Sequence, residues 1–464
     1  MKSKSMRTTI GRAQEVNLSN QMYGTFAEIG AGQEVARFFF QAGRASQTIA
    51  KTISAYDMTF SDEIYGRESQ GRYVCESRLQ KMLDKEMGLL QKRLGEKKAS
   101  EKRFFAYANT VATGDLGAHR KPHGWMGIRF QTQPQGPLNE IVLHLQLLDR
   151  HRLLQQESLG VLGVNLVALA SFDFANPEDF VDSLIENIKS GQVSIDLIKL
   201  KGPDLEKHDQ ALLNLQLVKK GLSQAVLFGP GAAILNAGDE LFQKTLVIQR
   251  GHFRPVTNSH VDIMKRALEM TRDEFSETSS CLPVYEISMH SLDEEHEAQD
   301  FLDRVNTLTS LGCHVLVSRF FLYYQLKSFL RGFTQEPLVI VLGANLLEKL
   351  FSASYYQDLE GGLLEGLGKL MDPHTRVLVH PSKSERSCST LGMFHGEEDT
   401  RPIVDYFKKK KWLQELSNCD DIDVFINSNQ ILELIRSQDP KWKSLVPNEV
   451  VRQISHGRLF GYGA

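Results

Sequence analysis

The sequence predicts an α/β protein with two domains, an amino-terminal α/β (α+β) domain and a carboxy-terminal domain built on a Rossmann-like parallel sheet. Three observations support this prediction. The 464 residues exceed the length of one typical domain. Strand-like apolar runs alternate with helical patterns through the middle and the end of the chain. The sharpest turn signal, Gly229 to Gly231, favours a boundary near residue 235, which gives a flexible tail at 1–20 and domains at 21–235 and 236–464.

Composition and charge exclude several classes of function. Apolar residues make up 41% of the chain and charged residues 24%, as in ordinary globular proteins. A formal net charge of -3 gives no electrostatic argument for a nucleic-acid or membrane-surface partner. The amino terminus lacks the apolar core of a secretory signal, and no window has the run of about 18 uninterrupted apolar residues that a membrane span requires. We therefore expect a cytoplasmic protein.

The cysteines indicate reduced, mostly structural thiols. They are odd in number, scattered and without a C-x-x-C pair, so neither a disulfide framework nor a zinc ribbon is predicted. The five positions are Cys75, Cys281, Cys313, Cys388 and Cys419.

The first domain is predicted from its periodicities. Helices are expected at 78–98, 155–170, 177–189 and 209–221, and strands at 104–111, 127–133, 140–148, 193–199 and 225–228. A glycine cluster within 23–46 precedes a helical run. No strand is predicted ahead of it and G-x-G-x-x-G spacing is absent, so a tight turn before a buried helix is favoured over a phosphate-binding loop.

The loop from Thr113 to Trp125 carries the most chemically reactive side chains of the first domain. His119 and His123 with Asp115 are one candidate metal site, although nothing in their spacing fixes the geometry. A basic anion-binding loop built from Arg120, Lys121 and His123 is a second interpretation. An ordinary surface loop is the favoured one.

The second domain shows the rhythm of a parallel sheet. Further strands are predicted at 283–289, 314–318, 338–342 and 376–379, with crossover helices at 298–311 and 321–330. Ligands of such sheets bind beyond the carboxyl ends of the strands.

A strand, a turn and a helix in succession are predicted from Leu246 to Leu268. The apolar run is followed by a turn rich in Gly, Pro and Asn, and then by Val261, Met264 and Leu268 at helical spacing. Unpaired N–H groups and the helix dipole would converge on this turn, so it is a candidate phosphate site.

This stretch resembles the first signature of the nucleotidyltransferase superfamily, particularly the phosphopantetheine and nicotinate-mononucleotide adenylyltransferases. The family motif is G-[ST]-F-D-P-x-[TH]-x-G-H, and here Gly251 to His260 reads Gly-His-Phe-Arg-Pro-Val-Thr-Asn-Ser-His. His252, Arg254 and Ser259 depart from the motif.

Two later segments continue the resemblance, which covers about residues 240–464. The run 338–347 is similar to the family's strand and G-A-D turn, with Gly343 retained and Asn345 in place of the acid, and Tyr355 and Tyr356 follow. The run 426–432 occupies the place of the second signature, I-S-S-T-x-[IV]-R, with Ser428 retained and Leu432 in place of the arginine. The stretch 443–450 resembles the family's L-V-P-x-x-V ending.

The resemblance implies transfer of AMP from ATP, with Mg²⁺, to a small phosphorylated substrate such as nicotinate mononucleotide. It implies that Thr257 hydrogen-bonds the incoming phosphate and that His260 stabilises the transferring group. The implied nucleotide-binding residues are Gly251, Phe253, Arg254, Gly343, Asn345 and Ser428. Arg254 could bind an anionic substrate or form an ion pair with an acid such as Asp262.

Two alternatives remain open at the level of sequence. The altered motifs also fit a catalytically degenerate relative that binds nucleotides as a regulatory or assembly module. Chemistry in the amino-terminal domain is a further alternative. A homo-oligomer is possible, and the sequence does not decide it.

Overall fold

The computed structural model describes residues 8–68, 71–114, 121–171, 177–275, 280–289, 297–383, 387–421 and 428–463. The chain forms two compact units, Met1–Ser223 and Gln224–Ala464. Each unit contains a sheet with parallel strands and several helices, so the predicted α/β class is confirmed.

The elements of the first unit are α1 (Thr9–Ser19), β1 (Met22–Gly30), α2 (Val35–Ala42), β2 (Ile49–Ala55), α3 (Met58–Tyr65), α4 (Glu76–Lys98), β3 (Arg103–Ala112), β4 (His123–Gln131), β5 (Leu138–Leu147), α5 (Arg152–Ser171), α6 (Pro177–Leu184), β6 (Val193–Lys201) and α7 (Gln210–Lys219). They form a six-stranded sheet in the order β2-β1-β3-β4-β5-β6. Strand β1 is parallel to both β2 and β3, and the remaining pairs are antiparallel.

Alternation along the strands builds the core of this unit. Phe105 and Tyr107 on β3 join the main apolar cluster, which also contains residues of α1, α2, α5 and α6. The intervening residues Ala106 and Ala108 are small and fully buried. Helix α4 packs against β3 and β4 with an apolar stripe that includes Leu79 and Met82.

Two expectations for the start of the chain are corrected. Residues Thr9–Ser19 form α1 rather than a flexible tail, because Thr8 caps the helix and Ala13 and Val16 are buried in the core. A nine-residue strand, β1, ends at Gly30, so a strand does precede the turn that leads into the helical run. The strand was not predicted because its buried polar residues Thr25 and Glu28 interrupt the apolar pattern.

Helix α5 is the one helix among the described residues that is long and apolar enough to cross a membrane by length and composition. Of its apolar window, 78% is buried inside the protein. Such burial is typical of a core helix, and residues such as Leu159, Leu162 and Leu166 pack in the main apolar cluster.

The elements of the second unit are β7 (Ala225–Phe228), β8 (Ile234–Leu235), α8 (Ala237–Glu240), β9 (Thr245–Arg250), α9 (Asn258–Phe275), β10 (Cys281–Ser288), α10 (Glu297–Ser310), β11 (His314–Ser318), α11 (Tyr323–Leu330), β12 (Leu338–Gly343), α12 (Leu347–Leu350), α13 (Gly362–Leu370), β13 (Thr375–His380), β14 (Ser382–Lys383), β15 (Cys388–Ser389), α14 (Arg401–Lys409), β16 (Leu413–Glu415), α15 (Ser428–Arg436), α16 (Trp442–Leu445) and α17 (Asn448–Gly457). Strands β14 and β15 form a separate antiparallel pair.

The main sheet of this unit is doubly wound. Its order is β16-β13-β12-β9-β10-β11-β7-β8, and the strands from β16 to β11 are parallel. The chain runs from β9 through β10 to β11 on one side and then returns to β12 and β13 on the other. The strand order therefore reverses between β9 and β12, and this reversal is the topological switch point where ligands of such sheets bind.

The boundary between the units falls before residue 235. Strand β7 pairs antiparallel with β11, so it belongs to the second sheet although it was assigned to the first domain. The turn at Gly229 to Gly231 connects β7 to its neighbour β8 rather than one domain to the next.

The expectation of five reduced thiols is wrong for one pair. Cys388 and Cys419 form a disulfide, whereas Cys75, Cys281 and Cys313 are free. The two paired cysteines are separated by 31 residues, so only the fold brings them together.

Candidate functional site

The turn after β9 lies at the switch point. It runs from Gly251 to Thr257 and leads directly into α9. The Phe253 ring is fully buried and contacts the rings of His260 and Tyr285 edge to face, with centroids 5.0 and 5.2 Å apart. A Cβ on Gly251 would lie 2.8 Å from the Phe253 ring, so only a glycine lets the backbone of the turn pack directly against this ring.

Thr257 and His260 form one hydrogen-bonded unit at the start of α9. The His260 backbone N–H donates to Thr257 Oγ1 over 3.3 Å, which caps the helix. The Thr257 backbone N–H donates to His260 Nδ1 over 3.1 Å, and Thr257 Oγ1 lies 2.9 Å from the same nitrogen. Thr257 is buried, and its polar groups are used to hold the imidazole.

The protonation state of His260 follows from these contacts. Burial, which is the largest cause, and the neighbouring His380 and His252 together lower the pKa of His260 to about 4. The ring is therefore neutral near pH 7. Because Nδ1 accepts a hydrogen bond from the Thr257 N–H, the proton of the neutral ring resides on Nε2. Nε2 is thus a neutral hydrogen-bond donor.

The first turn of α9 offers further donors. Asn258 and Ser259 follow the cap, and their backbone N–H groups donate to no residue that the structure describes. The positive end of the helix dipole adds to these groups, and together they match an anionic oxygen. The Asn258 side chain meanwhile donates to the carbonyl of Ser444 over 3.0 Å.

Arg254 is paired with an acid that the sequence did not indicate. Its Nε lies 2.5 Å from Oδ1 of Asp300 on α10, and the other oxygen of this carboxylate contacts the buried Arg304. Asp262, the acid suggested from the sequence, pairs instead with Arg266 one turn along α9. Contact with Asp300 requires α10 to pack beside the turn, which sequence proximity cannot reveal.

The Gly343 turn forms the other side of the switch point. A Cβ on Gly343 would lie 2.5 Å from Asn345 Oδ1 and 3.2 Å from the His380 ring. The Asn345 N–H donates to Ser382 Oγ over 3.2 Å, and Ser382 Oγ–H donates back to Asn345 Oδ1 over 3.0 Å. This reciprocal pair fixes the side-chain amide of Asn345.

His380, at the end of β13, was not identified from the sequence. Its Nδ1–H donates to the Pro381 carbonyl over 3.0 Å, which leaves Nε2 as the acceptor of the neutral ring. Burial lowers the pKa of His380 as well. Its short distance from the Gly343 turn was hidden because it lies 37 residues further along the chain.

A buried ion pair lies at the carboxyl ends of the strands in the second sheet. It was not identified from the sequence. Arg250 donates to both oxygens of the fully buried Glu286, and Ser318 Oγ–H donates to the same carboxylate. Arg250 Nη1 also donates to the Phe321 carbonyl over 2.9 Å. These contacts join the carboxyl ends of β9, β10 and β11.

The second signature is only partly visible. Ser428 is the first residue of α15, and of the predicted segment 426–432 only residues 426 and 427 lie outside the described residues. Leu432 is buried on the apolar face of α15. It is therefore a core residue, and its aliphatic side chain offers no charge or hydrogen bond to a phosphate.

In the first unit, a buried carboxyl group lies near the carboxyl end of a strand. Glu28 near the end of β1 is buried and accepts hydrogen bonds from the N–H groups of Val35 and Ala36, at the start of α2, over 3.1 and 3.3 Å. Burial raises the pKa of Glu28 to about 7. The carboxyl borders a cavity of about 540 Å³ that also contacts Arg37 and Phe40.

The histidine loop of the first unit is only partly described. Asp115, His119 and Arg120 lie outside the described residues, and Lys121 precedes β4. His123 Nδ1 lies 3.2 Å from His144 Nε2. The other ring nitrogen of His144, Nδ1, lies 2.6 Å from Asp196 Oδ1. No cluster of three or more metal-ligating side chains occurs among the residues that the structure describes.

The fold and the switch-point geometry place the second unit in the class of doubly wound α/β proteins. No family model matches the chain. No curated protein matches it either.

Solved structures of competence/damage-inducible (CinA-type) proteins show a limited likeness. The Agrobacterium tumefaciens protein is 16% identical with a TM-score of 0.24, over 36% of this chain and 94% of that chain. An Escherichia coli CinA superfamily protein is 14% identical with a TM-score of 0.25, over 36% and 89%. The Enterobacter asburiae protein is 11% identical with a TM-score of 0.26, over 36% and 100%. Similarities at this level assign no function.

Proposed function

We propose that the second unit binds a nucleotide at the switch point and transfers its adenylyl group to a small phosphorylated substrate such as nicotinate mononucleotide. The observation that carries this proposal is the neutral His260 ring, which Thr257 holds at the start of α9 and whose Nε2–H has no acceptor among the residues that the structure describes. A neutral donor stabilises charge that develops on a phosphate oxygen without requiring protonation at pH 7.

The contacts change the role implied for Thr257. Its hydroxyl and backbone N–H both face His260, and the residue is buried. Thr257 is therefore a positioning residue in this proposal, whereas His260 and the N–H groups of Asn258 and Ser259 contact the phosphates. Phosphoryl chemistry of this kind depends mainly on orientation and on preorganised donors.

The residues present fit the phosphates of ATP through the α9 amino terminus. Gln249 Oε1, on β9 close to the turn, is buried and has no hydrogen-bond partner among the described residues, so it could accept a donor from a bound nucleotide. For Mg²⁺ the described residues offer no carboxylate cluster, and Asp300 is engaged by two arginines. Mg²⁺ is commonly held through substrate phosphates with few protein ligands, and it would neutralise phosphate charge when bound.

A catalytically degenerate nucleotide-binding module is the second candidate. It is favoured by Asn345, whose amide is locked to Ser382, and by Arg254, whose charge is opposed by Asp300. Neither side chain can then act as the family's acid or as a free phosphate ligand without rearrangement.

Calorimetric titration of the full chain separates these candidates. ATP with Mg²⁺ would be titrated alone and with nicotinate mononucleotide, beside an assay for pyrophosphate release. The variants are His260→Ala and, as a matched control on an exposed histidine, His395→Ala.

Pyrophosphate release that His260→Ala abolishes and His395→Ala retains would support transfer at this site. Nucleotide binding without turnover would support the degenerate module. Absence of nucleotide binding by the folded full chain would refute both.

A further inference from the structure

A polar cavity lies at the opposite end of the second sheet from the switch point. It has a volume of about 480 Å³ and is lined by residues that precede the amino ends of β12 and β13. Lys327, Arg331, Lys369 and His374 contribute the basic groups, and Asp372 is the acid. No residue of the proposed nucleotide site lines it, so the cavity is independent of that proposal.

The charges around this cavity do not balance. Lys327 Nζ lies 2.5 Å from Asp372 Oδ2, and Arg331 Nη2 lies 3.9 Å from the other oxygen. Lys369 is paired with Glu365 over 2.6 Å. Among the described residues, two cations therefore share the single carboxylate of Asp372, which leaves one unit of positive charge uncompensated.

Burial makes this excess charge unfavourable. The Lys327 side chain is only 6% exposed although it borders the cavity. An ammonium group has three N–H donors, and the contact with Asp372 uses one of them. Burial and the neighbouring Arg331 lower the pKa of Lys327. An anion in the cavity would offset the desolvation of this ammonium group.

Arg331 is held rigidly beside it. Its guanidinium donates to the carbonyl of Glu336 over 2.6 Å and to the carbonyl of His374 over 3.1 Å. These bonds fix the charged group at the cavity without neutralising it. A preorganised cation of this kind loses little side-chain entropy when an anion binds.

We propose that this cavity binds a phosphate-bearing anion, with Lys327 donating directly to the phosphate and Arg331 supplying further positive potential. The chemistry suits a free inorganic anion or the phosphate of a small phosphorylated molecule. Lysine serves as a point-charge ligand for phosphate in many proteins. The volume accommodates either source.

Calorimetric titration of the full chain with inorganic pyrophosphate tests the proposal. Binding should be retained in His260→Ala, which affects the switch point, and in Lys349→Met, a control at an exposed lysine of the same unit. It should weaken at least about tenfold in Lys327→Met, which removes a charged phosphate ligand.

A second variant tests the electrostatic argument because it should strengthen pyrophosphate binding. Asp372→Asn removes the competing carboxylate and frees Lys327, so pyrophosphate should bind severalfold more tightly. This variant keeps the proposal testable if Lys327→Met does not fold. Parallel titrations with inorganic phosphate and with ribose 5-phosphate distinguish a free anion from a phosphorylated molecule. Tighter binding of inorganic phosphate would indicate a free anion, and tighter binding of ribose 5-phosphate would indicate a phosphorylated molecule.

Two results would overturn the assignment. Loss of pyrophosphate binding in His260→Ala with retention in Lys327→Met would place the anion at the switch point. No binding of any of the three probes up to about 10 mM would show that the cavity holds no such ligand.

Discussion

The backbone N–H of Thr257 donates a hydrogen bond to Nδ1 of His260 over 3.1 Å, within the first turn of α9. The helix cap and the orientation of the imidazole therefore have the same cause. Residues three apart at a helix start face each other, so the threonine that closes the turn also selects the ring nitrogen that carries the proton.

We expect acid to destabilise the protein through His260. Its pKa is about 4 in the folded state and about 6.5 in an unfolded chain, so the unfolded state binds more protons between these values. Stability is complete above pH 6.5 and declines by up to about 3 kcal/mol as the pH falls to 4. Urea unfolding at pH 4.5 and 7.5 measures this change.

The variant His260→Gln should lose less stability than the wild type over the same pH interval. His395→Gln, at an exposed histidine, should retain the wild-type response. Nitrogen NMR of the imidazoles at pH 7 should find His260 neutral with its proton on Nε2. A protonated ring, or a proton on Nδ1, would contradict the arrangement.

We expect Asp300→Asn to be more destabilising than Arg254→Gln. Asp300 is buried between Arg254 and Arg304, and its neutralisation removes a negative charge that both arginines contact. Loss of one partner from a buried ion pair costs about 3 kcal/mol. Arg254→Gln leaves the Asp300–Arg304 pair intact and should cost less. Urea unfolding of both variants checks the order, and equal losses would argue against a shared carboxylate.

The strands of the second unit could be predicted well because parallel-sheet strands are continuous apolar runs. His314–Ser318 agrees at both ends with the prediction, and Leu338–Gly343 agrees within one residue. In the first unit β1 was missed because Thr25 and Glu28 interrupt its apolar pattern. Glu28 is tolerated inside the sheet because the first N–H groups of α2 bind its carboxyl, and this contact depends on tertiary structure.

In the candidate site, too, local features could be predicted from the sequence, whereas contacts that depend on tertiary structure could not. Thr257 and His260 could be predicted because a helix cap is a local feature of the sequence. Asp300, His380 and Ser382 could not, since each reaches the switch point from another strand or helix. The chemistry of the altered motif positions, above all the pairing of Arg254, is therefore a property of the fold.

Glu28 predicts a pH response of opposite sign in the first unit. Its folded pKa of about 7 lies above the unfolded value of about 4.3, so the folded state binds more protons between them. Its contribution is greatest at low pH and falls by up to about 3 kcal/mol as the pH rises to 7. Glu28→Gln should remove this dependence.

Urea unfolding of Glu28→Gln and the wild type at pH 5 and pH 8 measures the difference. The free energy of unfolding of the variant relative to the wild type should rise between these pH values. Glu63→Gln, at an exposed glutamate of the same unit, is the matched control and should show no comparable change. A constant difference for Glu28→Gln would show that the buried carboxyl does not titrate in this range.

The disulfide predicts that the second unit loses stability on reduction. Cys388 and Cys419 close a segment of 31 residues, and the loop-entropy relation for a cross-link of this length gives about 3–4 kcal/mol. Cys388→Ser should destabilise the oxidised protein by this amount and abolish its response to reductant. Cys75→Ser, at a free cysteine, should leave that response unchanged. Alkylation of the unfolded, unreduced chain followed by mass spectrometry should label Cys75, Cys281 and Cys313 only, and labelling of all five cysteines would contradict the cross-link.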